Sequence, residues 1–176
     1  MKKNLVIWQV AGLTFTAVLG TILHFVYGWT NLKFFAPISA VNESTWEHMK
    51  LVFIPSFIFA IFQSFFAKNE YPCFWIVKLI GIVFGTLLIP VLFYTLGGSF
   101  GTLSAIVNIA IFFVSIIAQY LVELFLFNKL NCKPYLKGIA IGLLVGILIL
   151  FFVFTFNPPK IPLFLDPLTN GYGITK

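Results

Sequence analysis

Eleven consecutive positions, Ala40 to Lys50, hold Glu43, Glu47, His48 and Trp46, in a chain with only five acidic residues and two histidines. A long apolar run starts at Met49, and ionisable side chains packed against a membrane span are costly to keep, so this block is the first candidate for chemistry. His24 and Asp166 can join it, which would put two imidazoles and three carboxylates at one depth. Imidazole with carboxylate is the ligand set of a catalytic divalent ion such as Zn²⁺ with an open position, and His24, His48, Glu43 and Asp166 are the candidate ligands. Without a metal, Glu43 or Glu47 would be the base, and His48 or His24 the acid. No H-E-x-x-H spacing is present. Glu47 and His48 point about 100° apart on a helix, so only one of them faces a given ion. Haem held by His24 and His48 ranks below a metal, because two ligands specify little. The cofactor is therefore left unassigned.

Simpler readings stand beside these. Ser44-Thr45-Trp46-Glu47 fits a helix capping box, with Ser44 covering exposed amides and Glu47 reaching back. Trp46 can be an interfacial anchor, and His24 a hydrogen-bonded structural residue. Asn42, Trp46, Tyr27 and Tyr172 are candidate substrate contacts on the same side as the block.

The elements that position these residues are membrane spans. Of 176 residues, 60% are hydrophobic and 9% charged, where soluble domains average about 25% charged. Five stretches reach the length of roughly 20 apolar residues that a span needs: residues 5–27, 49–66, 74–96, 102–127 and 136–156. The expected fold is an all-α, five-helix transmembrane bundle forming one integral membrane domain over residues 1–176. The Met1-Lys2-Lys3 start and its apolar run are too long for a signal peptide, whose core is roughly 7–15 residues, and read as an uncleaved first span.

Orientation follows from lysine, the only basic residue type apart from histidine. Lys2, Lys3, Lys68, Lys78, Lys129, Lys133 and Lys137 fall on one side, and Lys33, Lys50, Lys160 and Lys176 on the other. The positive-inside rule then predicts N-in, C-out. The lack of arginine forks argues against a nucleic-acid groove. Cys73 and Cys132 fall near the expected cytosolic face and read as free thiols. The tail, residues 157–176, carries too many large apolar residues to be disordered. It is expected to fold over the outer mouth, with Asp166-Pro167 and Asn170-Gly171 as turns. Gly97 to Gly101 reads as a tight turn on that same side.

In the fourth span Ser104, Asn108, Ser115, Gln119 and Glu123 share one helical face. That stripe either bonds to neighbouring helices or lines a polar path or headgroup site, which makes Asn108 and Gln119 candidate substrate contacts. Gly138, Gly142 and Gly146 in the fifth span, like Gly81 and Gly85 in the third, allow close helix approach, within the bundle or in a homo-oligomer.

Three segments carry a resemblance: Gly20-x3-His24-Phe25-x-Tyr27-x-Trp29, Val41-Asn42-Glu43-Ser44-x-Trp46-Glu47-His48-x-Lys50, and Leu163-Phe164-x-Asp166-Pro167 with Gly171-Tyr172-Gly173-Ile174. Together they are similar to a family of small bacterial multi-span membrane proteins of unknown function. The resemblance implies a bacterial inner-membrane setting and brings no activity. Three functions stay open. The first is a hydrolase or transferase acting on a lipid-linked or envelope substrate at the outer leaflet. The second is a small-solute carrier along the fourth span, against which the lack of a visible internal repeat counts. The third is a non-catalytic subunit or ligand-binding protein.

Overall fold

The computed structural model describes residues 3–67, 70–101, 103–133 and 135–174. It contains five long helices: α1 (Lys3–Thr30), α2 (Thr45–Ala67), α3 (Phe74–Phe100), α4 (Ala105–Phe127) and α5 (Leu136–Phe156). All five are long and apolar enough to cross a membrane. Among the described residues there is no strand, only a single bridge between Leu165 and Tyr172, so the chain is an all-helical, multi-pass membrane protein. Lys2, Lys68 and Lys176, used for the expected orientation, and Thr102, at the expected start of the fourth span, lie outside the described residues.

The middle of the bundle is α2, which is 72% buried across its apolar window where the other helices are 22–39% buried. It packs between α1 and α3, α4 lies against α1 and α3, and α5 leans on α3. Gly81 and Gly85 behave as expected: a Cβ on either would run into Glu123 or Gln119 of α4. Small residues there let two backbones close in and bring polar side chains together.

That approach settles the stripe on α4. Ser115, Gln119 and Glu123 are buried. The Ser56 hydroxyl donates to Gln119 Oε1 at 3.1 Å, Gln119 Nε2 donates to Glu123 Oε1 at 3.2 Å, and Lys78 Nζ meets Glu123 Oε2 at 2.6 Å. Gln119 and Glu123 thus join helices, while the Ser115 hydroxyl is buried with no hydrogen-bond partner among the described residues. Ser104 instead caps α4 by accepting from the Val107 amide.

Several expectations are corrected. Residues 97–100 are not a turn but the last turn of α3, and only Gly101, at φ 81°, leaves the helix, its amide donating to the Gly97 carbonyl. Glycine in a helix costs about 1 kcal/mol, too little to stop a long apolar helix by itself. α2 begins four residues before Met49, because Ser44 caps it. The glycines of α5 do not pack within the bundle: a Cβ on Gly138, Gly142 or Gly146 would meet nothing within 4 Å. The helix is held by its other face, through Ala140, Leu144, Phe151 and Thr155. Finally, Cys73 and Cys132 are not free thiols but a disulfide, with Cα atoms 5.3 Å apart, inside the roughly 4.4–6.8 Å range such bonds need. Packing of α3 on α4 brings their loops together, which sequence separation hides.

Candidate functional site

The site is built by folding the α1–α2 loop back over the end of α1. The Ser39 hydroxyl accepts from the Tyr27 amide at 2.9 Å and donates to the Leu23 carbonyl, while the Ala40 amide also donates to Leu23. These bonds engage the Leu23 carbonyl and the Tyr27 amide in the last turns of α1 and draw the loop alongside His24. Asn42 then sets the entry into α2. Its Oδ1 accepts from the Ser44 amide at 2.9 Å, and its Nδ2 donates to the Gly173 carbonyl at 2.8 Å, pinning the tail to the loop.

The capping box is only half formed. The Ser44 hydroxyl accepts from the Glu47 amide at 3.4 Å. The Glu47 carboxylate, however, takes the Val41 amide at 3.0 Å and the Lys50 ammonium at 2.6 Å. Lys50 is fully buried and also donates to the Ala36 carbonyl and the Thr155 hydroxyl, each at 2.9 Å. A buried ammonium needs a counter-charge, and that need draws the Glu47 carboxylate away from the cap. Glu47 is thereby a structural residue of the loop.

With the loop fixed, His24, Glu43 and His48 converge. Glu43 Oε2 lies 3.9 Å from His24 Nε2 and 3.5 Å from His48 Nε2, and one ligand atom from each residue fits within a mutual 4.8 Å. Donors around a tetrahedral ion at about 2.0–2.2 Å sit about 3.4 Å apart, so the three atoms need only small side-chain rotations to share one ion. The tautomer of His48 is also set. Its Nδ1 lies 2.9 Å from the Ser44 carbonyl, which can only accept, so Nδ1 carries the proton and Nε2 presents its lone pair to the site. A ring held this way from behind is the usual arrangement of a metal-binding histidine. His24 stacks on Phe25 at 4.8 Å, and its Nδ1 is buried with no hydrogen-bond partner among the described residues.

The other candidates go elsewhere. Asp166 caps its own turn, Oδ1 accepting from the Leu168 amide and Oδ2 from the Thr169 hydroxyl at 2.6 Å, so it does not complete the ligand set. Trp46 packs among Phe151, Phe154 and Phe164. Tyr27 is buried in the core, Tyr172 pairs with Leu165, and Gln119 belongs to the helix-joining network. Asn108 alone of the fourth-span candidates borders the site, where its Oδ1 is buried with no hydrogen-bond partner among the described residues. Sequence reasoning missed Lys50, although a lysine inside an apolar span is itself a signal. It also missed the cavities, whose walls come from helices far apart in the chain.

A model of a family of unknown function (DUF6512) matches residues 1–174. No curated protein and no solved structure matches.

Proposed function

We infer the function from the site itself, because the chain belongs to DUF6512, a family of unknown function. The protein holds a divalent metal ion of the zinc class on His24, Glu43 and His48. It uses that ion for hydrolysis or group transfer on a lipid-linked or envelope substrate at a bacterial cytoplasmic membrane. The observation that carries this reading is the convergence of two imidazole nitrogens and one carboxylate oxygen within 4.8 Å, with the His48 tautomer already suited to a metal. A bound ion supplies Lewis acidity to an ester or phosphoryl oxygen. The chain's own part is to hold three ligands, leave one side open to a cavity, and keep Glu47 engaged with Lys50. A carrier along α4 is disfavoured by the closed chain of hydrogen bonds from Ser56 through Gln119 and Glu123 to Lys78.

Metal analysis of purified protein equilibrated with Zn²⁺ or Co²⁺ is expected to find about one ion per chain, in the ratio the three-ligand site implies. His24→Ala, Glu43→Ala and His48→Ala should each weaken binding by more than the roughly 10–100-fold that a hydrogen-bond partner behind a ligand is worth. Zinc that binds equally well to all three variants would remove the proposal.

The orientation we propose is N-in, C-out, with the triad and the tail on the outer side. With the buried, paired Lys78 and Lys50 set aside, six lysines against three support it. The Cys73–Cys132 bond would then face cytosolic reductants, and the freed Cys73 thiol would have the Leu130 carbonyl 3.3 Å away as acceptor. A C-terminal alkaline phosphatase fusion should be active, and a C-terminal fluorescent-protein fusion dark. The opposite pair of results would invert the bundle and put the disulfide on the oxidising side.

A further inference from the structure

Two cavities meet at the triad. The larger, about 780 Å³, lies between α3, α4 and the tail, with Ile89, Phe93, Ile111 and Phe112 as apolar walls. The smaller, about 280 Å³, lies between α1, α2 and α4 and is walled by Thr21, Phe25, Ile109 and Phe113. Glu43, His48, Ala105, Asn108 and Phe112 border both. Each cavity therefore has its polar corner at the same place and runs from there into apolar surroundings.

The smaller cavity opens sideways. Phe25, Ile109 and Phe113 are 46%, 57% and 41% exposed on the apolar outside of the bundle, on helices long and apolar enough to cross a membrane. Its floor is the close approach at Gly20, where a Cβ would meet the Leu51 carbonyl and the Phe112 ring. The larger cavity lies within the roughly 300–1,000 Å³ range of small-molecule sites.

The shared corner suits an anion. It lies at the first turn of α4, where Ala105 and Asn108 line both cavities and the positive end of the helix dipole favours negative charge. Beside it Asn108 Oδ1, buried with no hydrogen-bond partner among the described residues, is an acceptor that a headgroup hydroxyl would complete, a gap that otherwise costs about 1–3 kcal/mol. Three ligands with one negative charge leave a divalent ion with net positive charge facing the same corner.

We infer that the substrate is a two-chain phospholipid that straddles the start of α4, with its phosphate at the His24–Glu43–His48 corner and one acyl chain in each cavity. One chain fills the larger cavity, and the other leaves through the gap between α1 and α4 into the bilayer. The inference rests on the metal-centre reading for its polar end and on the two cavities for its chains.

The test uses the full chain in nanodiscs carrying a phosphatidylglycerol with a diazirine in each acyl chain, followed by peptide mapping of the cross-links. Labelled residues are expected in both cavities, among them Ile89 and Ile111 in the larger and the buried Leu51 in the smaller. Ile111→Trp should cut labelling of the larger cavity about tenfold, the equivalent of 1.4 kcal/mol in occupancy, and leave the smaller one labelled. The wild-type map decides the matter even if that variant does not fold. Labels confined to outer residues such as Phe65 and Leu150 would overturn the proposal. So would labels in one cavity only, or equal labelling by a single-chain prenyl phosphate probe. Metal content is measured on the same samples, so a protein that binds lipid without metal refutes the centre and not the lipid seat.

Discussion

Lys78→Met alone is expected to destabilise the bundle by about 3–5 kcal/mol, because removing one partner of a buried ion pair strands the other charge. Lys78 and Glu123 are both fully buried, 2.6 Å apart, near the opposite end of the bundle from the triad. Four rings, those of Phe59, Phe74, Tyr120 and Phe127, lie 5.4–5.9 Å from the ammonium, so no water replaces it when it is cut away. For a chain of this length the loss corresponds to roughly 6–20 °C in melting temperature, measured in detergent. The double variant Lys78→Met with Glu123→Gln should recover most of it, since the amide removes the charge and keeps an oxygen for Gln119 Nε2. Equal melting temperatures for wild type and Lys78→Met would mean that the pair is solvated and that α3 and α4 are not closed around it.

The reason this pair exists was partly visible in the letters. Gly81 and Gly85 announce a close approach, and Glu123 lies on the polar face of its span. What the letters do not carry is which helix each face meets, so Lys78, read as a topology signal, turns out to be the counter-ion of Glu123. The same limit governs the site. Apolar length and the Ala40–Lys50 block pointed to five spans and to His24, Glu43 and His48, and the two rings stand 5.4 Å apart. The spacing could not separate Glu43 from Glu47, two carboxylates four residues apart. That choice depends on Lys50, whose partners Ala36 and Thr155 come from a loop and from the last span. Asp166 failed as a ligand for a local reason: Asp-Pro-Leu-Thr supplies its own donors, and a carboxylate satisfied by its own turn has no need to reach a distant ion. The disulfide was hidden because a lysine-rich face argued for reduced thiols, while pairing depends only on how α3 and α4 bring their loops together.

Lys50→Met should destabilise the fold by a similar amount, about 3–5 kcal/mol, and unlike Lys78→Met it should also damage the proposed metal site. Lys50 Nζ is bonded to α2 through Glu47, to the loop through Ala36 and to α5 through Thr155, while Glu47 in turn holds the Val41 amide two residues from Glu43. Cutting this tie frees the stretch of loop that carries Glu43, one of the proposed ligands, and a support of that kind is worth about 10–100-fold in affinity. Lys78 lies about 22 Å along α3 from the cavity wall at Phe93, at 1.5 Å per residue. Its loss should lower the melting temperature without changing zinc affinity. Measuring both quantities on both variants separates a site that is positioned from one that is merely present. If Lys50→Met binds zinc as tightly as wild type while melting lower, Glu43 is held by something other than the Glu47–Lys50 pair. If neither quantity moves, the ion pair that organises the loop is not formed.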